Sequence, residues 1–239
     1  MSTSQVSIIK RVKTAIESFN KKELLELSLS ILALAFMFAL KDIVLGSLWF
    51  VSVLIYIVTV SISVFTKIIT QKVVAQKFDC AVNYSISYNL LLIGLLVALL
   101  LNGSLVFAAT GTIIITSAYF TRLGYKFVNL TNMERGIIAL SGTITNILLA
   151  LISLLLYPLS PTIFQQLINI NVLMAVFNMM PFPPFEGSII FWWNRMIWVM
   201  AIIIPLFMVF FAFNLIFALI GAVLIIVISF LLWAYYFIK

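Results

Sequence analysis

The chain has 239 residues, of which 64% are hydrophobic and only 9% are charged, and its net charge is +7. A soluble domain of this size could not bury so much apolar surface, so the composition excludes a soluble enzyme or a free nucleic-acid binder and indicates an integral membrane protein. The sequence contains no histidine and one cysteine, Cys80. These counts exclude a histidine-ligated metal site, a Ser-His or Cys-His nucleophile pair and an internal disulfide.

The first 22 residues are basic and patterned. Lys10, Arg11, Lys13, Lys21 and Lys22 alternate with apolar residues at roughly helical spacing, which is typical of an amphipathic helix on a membrane surface. A solvated tail is the alternative. We expect residues 1–22 to form this segment and residues 23–239 to form a single membrane domain. Because basic residues concentrate on cytoplasmic loops, the predicted location is the cell membrane with the N-terminus in the cytoplasm.

Apolar segments long enough, or nearly so, to cross a bilayer follow one another along the rest of the chain. The predicted spans are residues 24–40, 43–66, 136–157, 164–180, 196–213 and 215–238. The last two are separated near Asn214 because residues 196–237 are too many for one span. We therefore expect an all-α polytopic membrane protein with six to seven transmembrane helices.

The apolar segment 90–115 needs a separate interpretation because Asn102-Gly103-Ser104 interrupts it. If the segment crossed the bilayer once, the basic residues between 116 and 135 would lie outside. If it turned back at Asn102-Gly103 as a membrane-embedded hairpin, every basic residue except Lys41 would lie on one face, and we prefer this arrangement. The β-branched residues in 105–117 leave open whether the part around 90–118 is helical or a short β segment.

Polar residues inside apolar segments carry most of the information, because burying them in a membrane costs free energy. They fall into three groups, at residues 67–72, 141–146 and 178–187. Each group also has an ordinary explanation. The lysines can extend to the lipid headgroups, Gly142 can permit close helix contact while Asn146 bonds to a neighbouring helix, and the proline-rich run can end a helix.

The three groups resemble, in order and spacing, motifs of the site-2 protease family of intramembrane zinc metalloproteases. Residues 71–78 resemble the stretch that begins at the second histidine of its H-E-x-x-H motif, and residues 142–146 resemble its G-P-x-x-N. Residues 178–187 resemble N-x-x-P-x-x-P-x-D-G, which supplies the third zinc ligand, and residues 107–111 resemble a further family segment. The resemblance covers about residues 43–195 and implies a site-2-protease-like helix arrangement. The cleft positions that it implies are Gly142, Asn146, Asn178, Pro181, Pro184 and Gly187.

The sequence departs from the family at the positions that carry the chemistry. Lys67 and Gln71 stand where the resemblance places the two histidines, Ile68 replaces the general-base glutamate, and Glu186 replaces the aspartate ligand. An ammonium group has no lone pair, an amide is a poor zinc ligand, and an aliphatic side chain cannot accept a proton. We therefore predict no catalytic residues, no metal and no other cofactor. In place of the metal we predict a Lys67–Glu186 ion pair, supported by Gln71 and Asn178.

The resulting hypothesis is a catalytically inactive, site-2-protease-like membrane protein, a pseudoprotease that binds transmembrane segments or serves as a scaffold subunit of a membrane complex. Its expected partners are the lipid bilayer and other membrane proteins or transmembrane helices, and no nucleic acid. Phe191-Trp192-Trp193 and Trp198 are candidate interface anchors. Two alternatives stay open: an active peptidase with an atypical centre such as Lys67 with Ser63, and an ion- or proton-coupled transporter that uses Lys67 and Glu186.

Overall fold

The computed structural model describes residues 3–44, 49–103, 106–116, 118–121, 124–127 and 129–211. These ranges contain eight α-helices and four short strands. The helices are α1 Thr3–Glu17, α2 Lys21–Val44, α3 Trp49–Ala75, α4 Tyr88–Leu100, α5 Asn132–Leu156, α6 Pro161–Asn178, α7 Glu186–Trp193 and α8 Arg195–Phe211. The strands are β1 Ala81–Ile86, β2 Gly111–Thr116, β3 Ala118–Thr121 and β4 Gly124–Phe127. Ser104, Asn214 and the predicted span 215–238 lie outside the described residues.

Three stretches of the described chain are long and apolar enough to cross a bilayer: Lys21–Asp42, Phe50–Phe78 and Asn132–Leu159. They contain α2, α3 and α5 and correspond to the predicted spans 24–40, 43–66 and 136–157. The structure therefore agrees with a membrane protein, while the full number of six to seven spans stays a prediction. Helix α3 continues past residue 66, the end of the predicted span, as far as Ala75.

Residues 81–116 form a hairpin that combines both conformations left open by the sequence. Strand β1 leads into α4, and β2 returns antiparallel to β1, with Ala81 opposite Thr116 and Ile86 opposite Gly111. The chain reverses at the predicted position, where Asn102 and Gly103 adopt positive φ angles of 51° and 71°. The predicted alternative of a short β segment is thus present beside the helix, because the β-branched second half of the segment pairs as a strand.

The hairpin packs along α2. At its base the Ile86 N–H donates to Glu26 Oε2 at 3.0 Å. At its tip a Cβ on Gly103 would lie 2.5 Å from the backbone nitrogen of Lys41, near the other end of α2. Between these points Ala98 and Val106 join the buried cluster that α2 and α3 form. The hairpin therefore extends along most of the membrane-spanning stretch of α2 and returns to the side from which it started.

Helices α3, α5 and α6 pack on one another and hold the centre of the molecule. Ala150 and Leu154 of α5 contact Ile168 and Val172 of α6 in one buried cluster. Ala139 of α5 packs with Met179, which follows α6, and with Ile190 of α7. Large apolar side chains are exposed on the outer faces, as expected for contact with lipid, among them Leu25, Leu54, Leu96, Leu148, Leu155 and Ile203.

Candidate functional site

A buried ion pair joins α3 to α7. Lys67 Nζ lies 2.7 Å from Glu186 Oε1, and the two side chains are 8% and 1% exposed. Gln71 Nε2 donates a hydrogen bond of 2.9 Å to the second carboxylate oxygen, Oε2. The predicted ion pair and its support by Gln71 are confirmed. The alternative of a lysine that extends to the lipid headgroups is wrong for Lys67, because its ammonium group points into the protein.

Local sequence explains this geometry. Residues four apart on a helix share a face, so α3 presents Lys67 and Gln71 to the same carboxylate. Glu186 is the first residue of α7, where the helix dipole favours a negative charge. A Cβ on Gly187 would meet the backbone of Met179, so the glycine lets α7 begin directly against the end of α6. The turn between α6 and α7 contains Pro181 and Pro184, which are both exposed.

Gly142 brings α5 against the same side chains. A Cβ at this position would lie 2.7 Å from Gln71 Cδ and 2.9 Å from Lys67 Cε, which confirms the prediction of close helix contact. Asn146 lies one turn further on the same face and is completely buried. Neither of its side-chain polar atoms has a hydrogen-bond partner in the described part of the chain, so the predicted bond to a neighbouring helix is not formed there.

A small cavity of about 20 Å³ lies beside the ion pair. Its polar lining includes Lys67, Asn178, Tyr84 and Thr110, and its volume is enough for about one water molecule. Asn178 was predicted to support the ion pair. The structure instead places it on the cavity wall, and within the described ranges it makes no hydrogen bond to Lys67 or Glu186. The hairpin and the helical core thus meet at this cavity.

The donor set does not fit a zinc ion. The part of the chain that the structure describes contains no group of three or more His, Cys, Asp and Glu residues that could hold a metal ion. At the candidate site, the Lys67 ammonium and the Gln71 amide N–H occupy the two oxygens of Glu186. Ile68, at the position of the general base, is 1% exposed and aliphatic. The arrangement can neutralise a buried carboxylate but supplies no group that would activate water.

The Ser-Lys alternative finds no geometric support. The hydroxyl of Ser63 donates to the carbonyl oxygen of Thr59 at 2.9 Å. Ser63 Oγ also accepts a hydrogen bond of 2.9 Å from Asn171 Nδ2, which links α3 to α6. Since Ser63 already donates within its own helix and accepts from Asn171, its contacts are those of a structural hydroxyl.

A second buried ion pair, which the sequence analysis did not predict, lies at the end of α3. Lys72 Nζ is 2.9 Å from Glu23 Oε2 of α2, with side chains 3% and 1% exposed. The other carboxylate oxygen of Glu23 accepts the backbone N–H of Tyr84 at 2.8 Å. The Lys72 ammonium also lies 4.4 Å from the ring centre of Phe19. The sequence signal for this pair is Glu23 itself, an acidic residue in the first turn of an apolar helix and among basic residues.

The Tyr84 side chain connects the second ion pair to the cavity. Its hydroxyl oxygen lies 2.7 Å from Ser30 Oγ and 3.2 Å from Thr110 Oγ1. Tyr84 and Thr110 both line the cavity beside Lys67. The Lys72–Glu23 pair therefore holds β1, one wall of the candidate site, against α2 and α3.

The predicted aromatic anchors have different surroundings. Trp198 Nε1 donates to the carbonyl oxygen of Met179 at 2.7 Å. Trp193 packs against α5, where a Cβ on Gly136 would collide with its indole ring. Trp192 is 72% exposed. Trp193 and Trp198 thus stabilise the packing of α7 and α8, whereas Trp192 points outward.

Comparison with known proteins gives one relevant similarity. The chain is 30% identical over 190 residues to a protein of Methanocaldococcus jannaschii named "putative zinc metalloprotease". The match covers 75% of this chain and 88% of that protein. No family model matches the chain. No solved structure matches it either.

Proposed function

Since the chain belongs to the family of this protein named "putative zinc metalloprotease", we propose that it is a catalytically inactive, site-2-protease-like member of that family. In this proposal it binds transmembrane segments, or serves as a subunit of a membrane complex, without cutting its partner. The contact between Lys67 and Glu186 is the observation that carries the proposal.

The first argument concerns charge. A zinc ion needs lone pairs from nitrogen, sulfur or carboxylate oxygen. At this site the positive charge beside Glu186 is already present, because the Lys67 ammonium lies 2.7 Å from the carboxylate. A metal ion there would have to displace a covalently attached cation or remain close to a like charge, and both cost free energy. Gln71 adds an N–H donor, which also stabilises the carboxylate without any metal.

The second argument concerns proton transfer. Hydrolysis needs a group that takes a proton from water within hydrogen-bonding reach. The Ile68 side chain at the implied position of the general base cannot accept a proton. The proposal of inactivity therefore rests on the side chains of Lys67, Gln71 and Ile68.

The third argument concerns what this chain retains. Gly142 permits the close approach of α5 to the ion pair, and Gly187 permits that of α7 to the end of α6. The cavity lined by Asn178 and Thr110 lies between the hairpin and the helical core. Because the chain keeps the glycines of the resembled motifs while the donor atoms of the implied zinc site are changed, binding is the role that we propose. The partner is then a transmembrane segment, as the resemblance implies.

Metal content and cleavage test the loss of chemistry. Purified full-length protein is expected to contain much less than one zinc per chain and to leave a panel of transmembrane substrates intact. The variant Lys67→His/Ile68→Glu/Gln71→His is expected to gain zinc, and the same variant with Glu186→Gln is the matched control that should lose it. One chelator-removable zinc per wild-type chain, or a cleavage product that disappears in Lys67→Ala, would overturn the proposal.

Crosslinking in native membranes tests the binding role. Phe182, in the turn before α7, is 53% exposed and can be replaced by a benzoyl-phenylalanine. Leu155 on the outer face of α5 is 66% exposed and serves as the control position. We expect defined adducts with membrane proteins from position 182 and only lipid or diffuse adducts from position 155. Equal, diffuse labelling from both positions would count against a binding cleft.

A further inference from the structure

The outer face of α1 is both apolar and basic. Ile8, Ile9 and Ile16 are 58%, 66% and 54% exposed. Lys10 and Lys13 lie among them and are exposed as well. Ile9, Lys13 and Ile16 follow helical spacing, so the apolar and the charged side chains share one side of the helix. Such a face is stabilised where apolar groups can contact the isoleucines and anionic groups can contact the lysines.

The opposite face of α1 is fixed to the protein. Ala15 is completely buried, and Gln76 Nε2 of the turn after α3 donates to the carbonyl oxygen of Arg11 at 3.1 Å. Beyond the helix end, the Phe19 ring packs edge-on against Phe65 with 6.1 Å between ring centres. These contacts set the rotation of α1. The exposed isoleucines are therefore a consequence of how the helix is docked.

The position of α1 places that face at the bilayer surface. The helix ends at Glu17, and the membrane-spanning stretch begins at Lys21. Lys10, Lys13, Lys21 and Lys22 are exposed. Among the described acidic residues of this region, Glu23 is buried in its pair with Lys72. Glu17 is exposed and lies 3.9 Å from Lys13, and Glu26 is 15% exposed and lies 3.8 Å from Lys22. The exposed charge around α1 is thus predominantly positive, at the level where lipid headgroups lie.

We propose that α1 binds the anionic lipid surface of the bilayer, with its isoleucines at the boundary of headgroups and acyl chains and its lysines on lipid phosphates. Apolar area and electrostatic attraction to anionic lipid together determine how strongly such a helix binds. A soluble phosphate would satisfy the lysines but leave the three isoleucines in water. A bilayer surface provides for both, and the neighbouring span already holds α1 beside it.

Through α1, the lipid composition of the bilayer would then affect the end of α3 beside the candidate site. Thr14 and Ser18 form one wall of a cavity of about 330 Å³ whose other walls include Lys72, Gln76 and Asn83. Gln76 carries the hydrogen bond to Arg11, and Lys72 contacts Phe19. Binding of α1 to lipid would hold the end of α3 in place. That end is adjacent to Gln71, which donates to Glu186.

An environment-sensitive fluorophore tests this proposal in the full-length chain. In a Cys80→Ser background, Ile16→Cys is labelled and the protein is placed in nanodiscs of phosphatidylcholine alone or of an equal mixture with phosphatidylglycerol. We expect a blue-shifted emission and a several-fold weaker quenching by acrylamide in the anionic discs. Acrylamide is neutral, so surface charge does not change its local concentration. A label at Ile93→Cys on α4 is the control and should not respond to headgroup charge.

Charge variants complete the test. Lys10→Gln/Lys13→Gln should abolish the difference between the two lipids, Lys10→Arg/Lys13→Arg should keep it, and high salt should reduce it. Equal, strong quenching in both lipids would show that the face lies in water and would overturn the proposal. Equal protection in both lipids would also overturn it, since the face would then be covered without any contribution from anionic headgroups. None of these outcomes depends on whether the protein is a protease.

Discussion

At the scale of single residues, the Lys67–Glu186 pair gives the sharpest prediction. Removing one partner leaves a buried, uncompensated charge, so Lys67→Met or Glu186→Gln should lower the free energy of unfolding by about 3–5 kcal/mol. The double variant Lys67→Met/Glu186→Gln should recover most of this loss, because it removes both charges. A double-mutant cycle in detergent, followed by thermal unfolding, measures the coupling.

The exposed pair Lys13–Glu17 is the matched control. Its charged atoms are 3.9 Å apart and its side chains are 78% and 64% exposed, so solvent screens the interaction. Lys13→Met is expected to leave unfolding unchanged within error. If Lys67→Met behaved like Lys13→Met, the pair at the candidate site would be hydrated and the picture of a dry, metal-free centre would be wrong.

Gly142 gives a steric prediction at the same site. In Gly142→Ala the new methyl group would press on Gln71 and Lys67, so either α5 or the two side chains must move. We expect a loss of about 1–3 kcal/mol in unfolding free energy. Ile144→Ala, two residues away on the exposed face of α5, serves as the control and should cost much less. An undiminished stability in Gly142→Ala would mean that the helices separate readily at this point.

Cys80 gives a prediction about pH. Burial raises the pKa of its thiol from 9.0 to about 11, and the nearby carboxylates Glu134 and Asp79 act in the same direction. Between these values the unfolded chain releases the proton first, so the contribution of this thiol to stability should be constant below about pH 9 and be lost towards about pH 11. Maleimide labelling of Cys80 should be slow at pH 8, in contrast to Ile9→Cys in a Cys80→Ser background. Cys80→Ser should abolish this part of the pH dependence of unfolding.

At the scale of elements, the hairpin tip gives a pair of opposite substitutions. Gly103 has a positive φ angle and no room for a Cβ beside Lys41, so Gly103→Ala should destabilise the hairpin by about 1–2 kcal/mol. Asn102 also has a positive φ angle. Asn102→Gly should therefore be neutral or slightly stabilising. Limited proteolysis and thermal unfolding compare the two, and similar losses in both would contradict the turn geometry.

The elements also show which parts of the site a sequence can reveal. The Lys67–Glu186 contact was predictable, because both residues occupy motif positions whose counterparts bind one ion in the resembled family. For the Lys72–Glu23 contact the sequence signals only an acidic residue at the start of a span, and it does not identify the partner because Glu23 belongs to no motif. That the Asn146 amide finds no hydrogen-bond partner among the described residues was not predictable either, since hydrogen bonding depends on distances that only packing determines.

At the scale of the whole molecule, the returning hairpin predicts a sidedness. In a Cys80→Ser background, cysteines at Lys77 and Met133 should react with an impermeant reagent from the side that carries α1. Cysteines at Asn102 and Leu159 should react from the opposite side. Labelling is compared between right-side-out and inside-out vesicles. The same comparison tests the predicted cytoplasmic location of the N-terminus. Reaction of Asn102→Cys from the same side as Lys77→Cys would mean that the hairpin tip does not reach the far surface.

The topology was predictable to the extent that charge constrains it. The distribution of basic residues favoured a hairpin over a crossing at 90–115, and the pairing of β1 with β2 agrees with this. Its mixed helix-and-strand composition was not predictable, because an apolar run of this length suits either conformation in a protein interior. The number of spans beyond the described helices stays a prediction.

The carboxylates of Glu23 and Glu26 accept the N–H groups of Tyr84 and Ile86, the groups of β1 that point away from β2. Two side chains of a helix thus stand in for a neighbouring strand. During synthesis, residues 81–86 can complete their hydrogen bonding only after the first span has been inserted, because its start supplies those acceptors. Nascent chains long enough for β2 to have left the ribosome should therefore already hold residues 81–116 against α2, and Glu23→Ala/Glu26→Ala should delay this step.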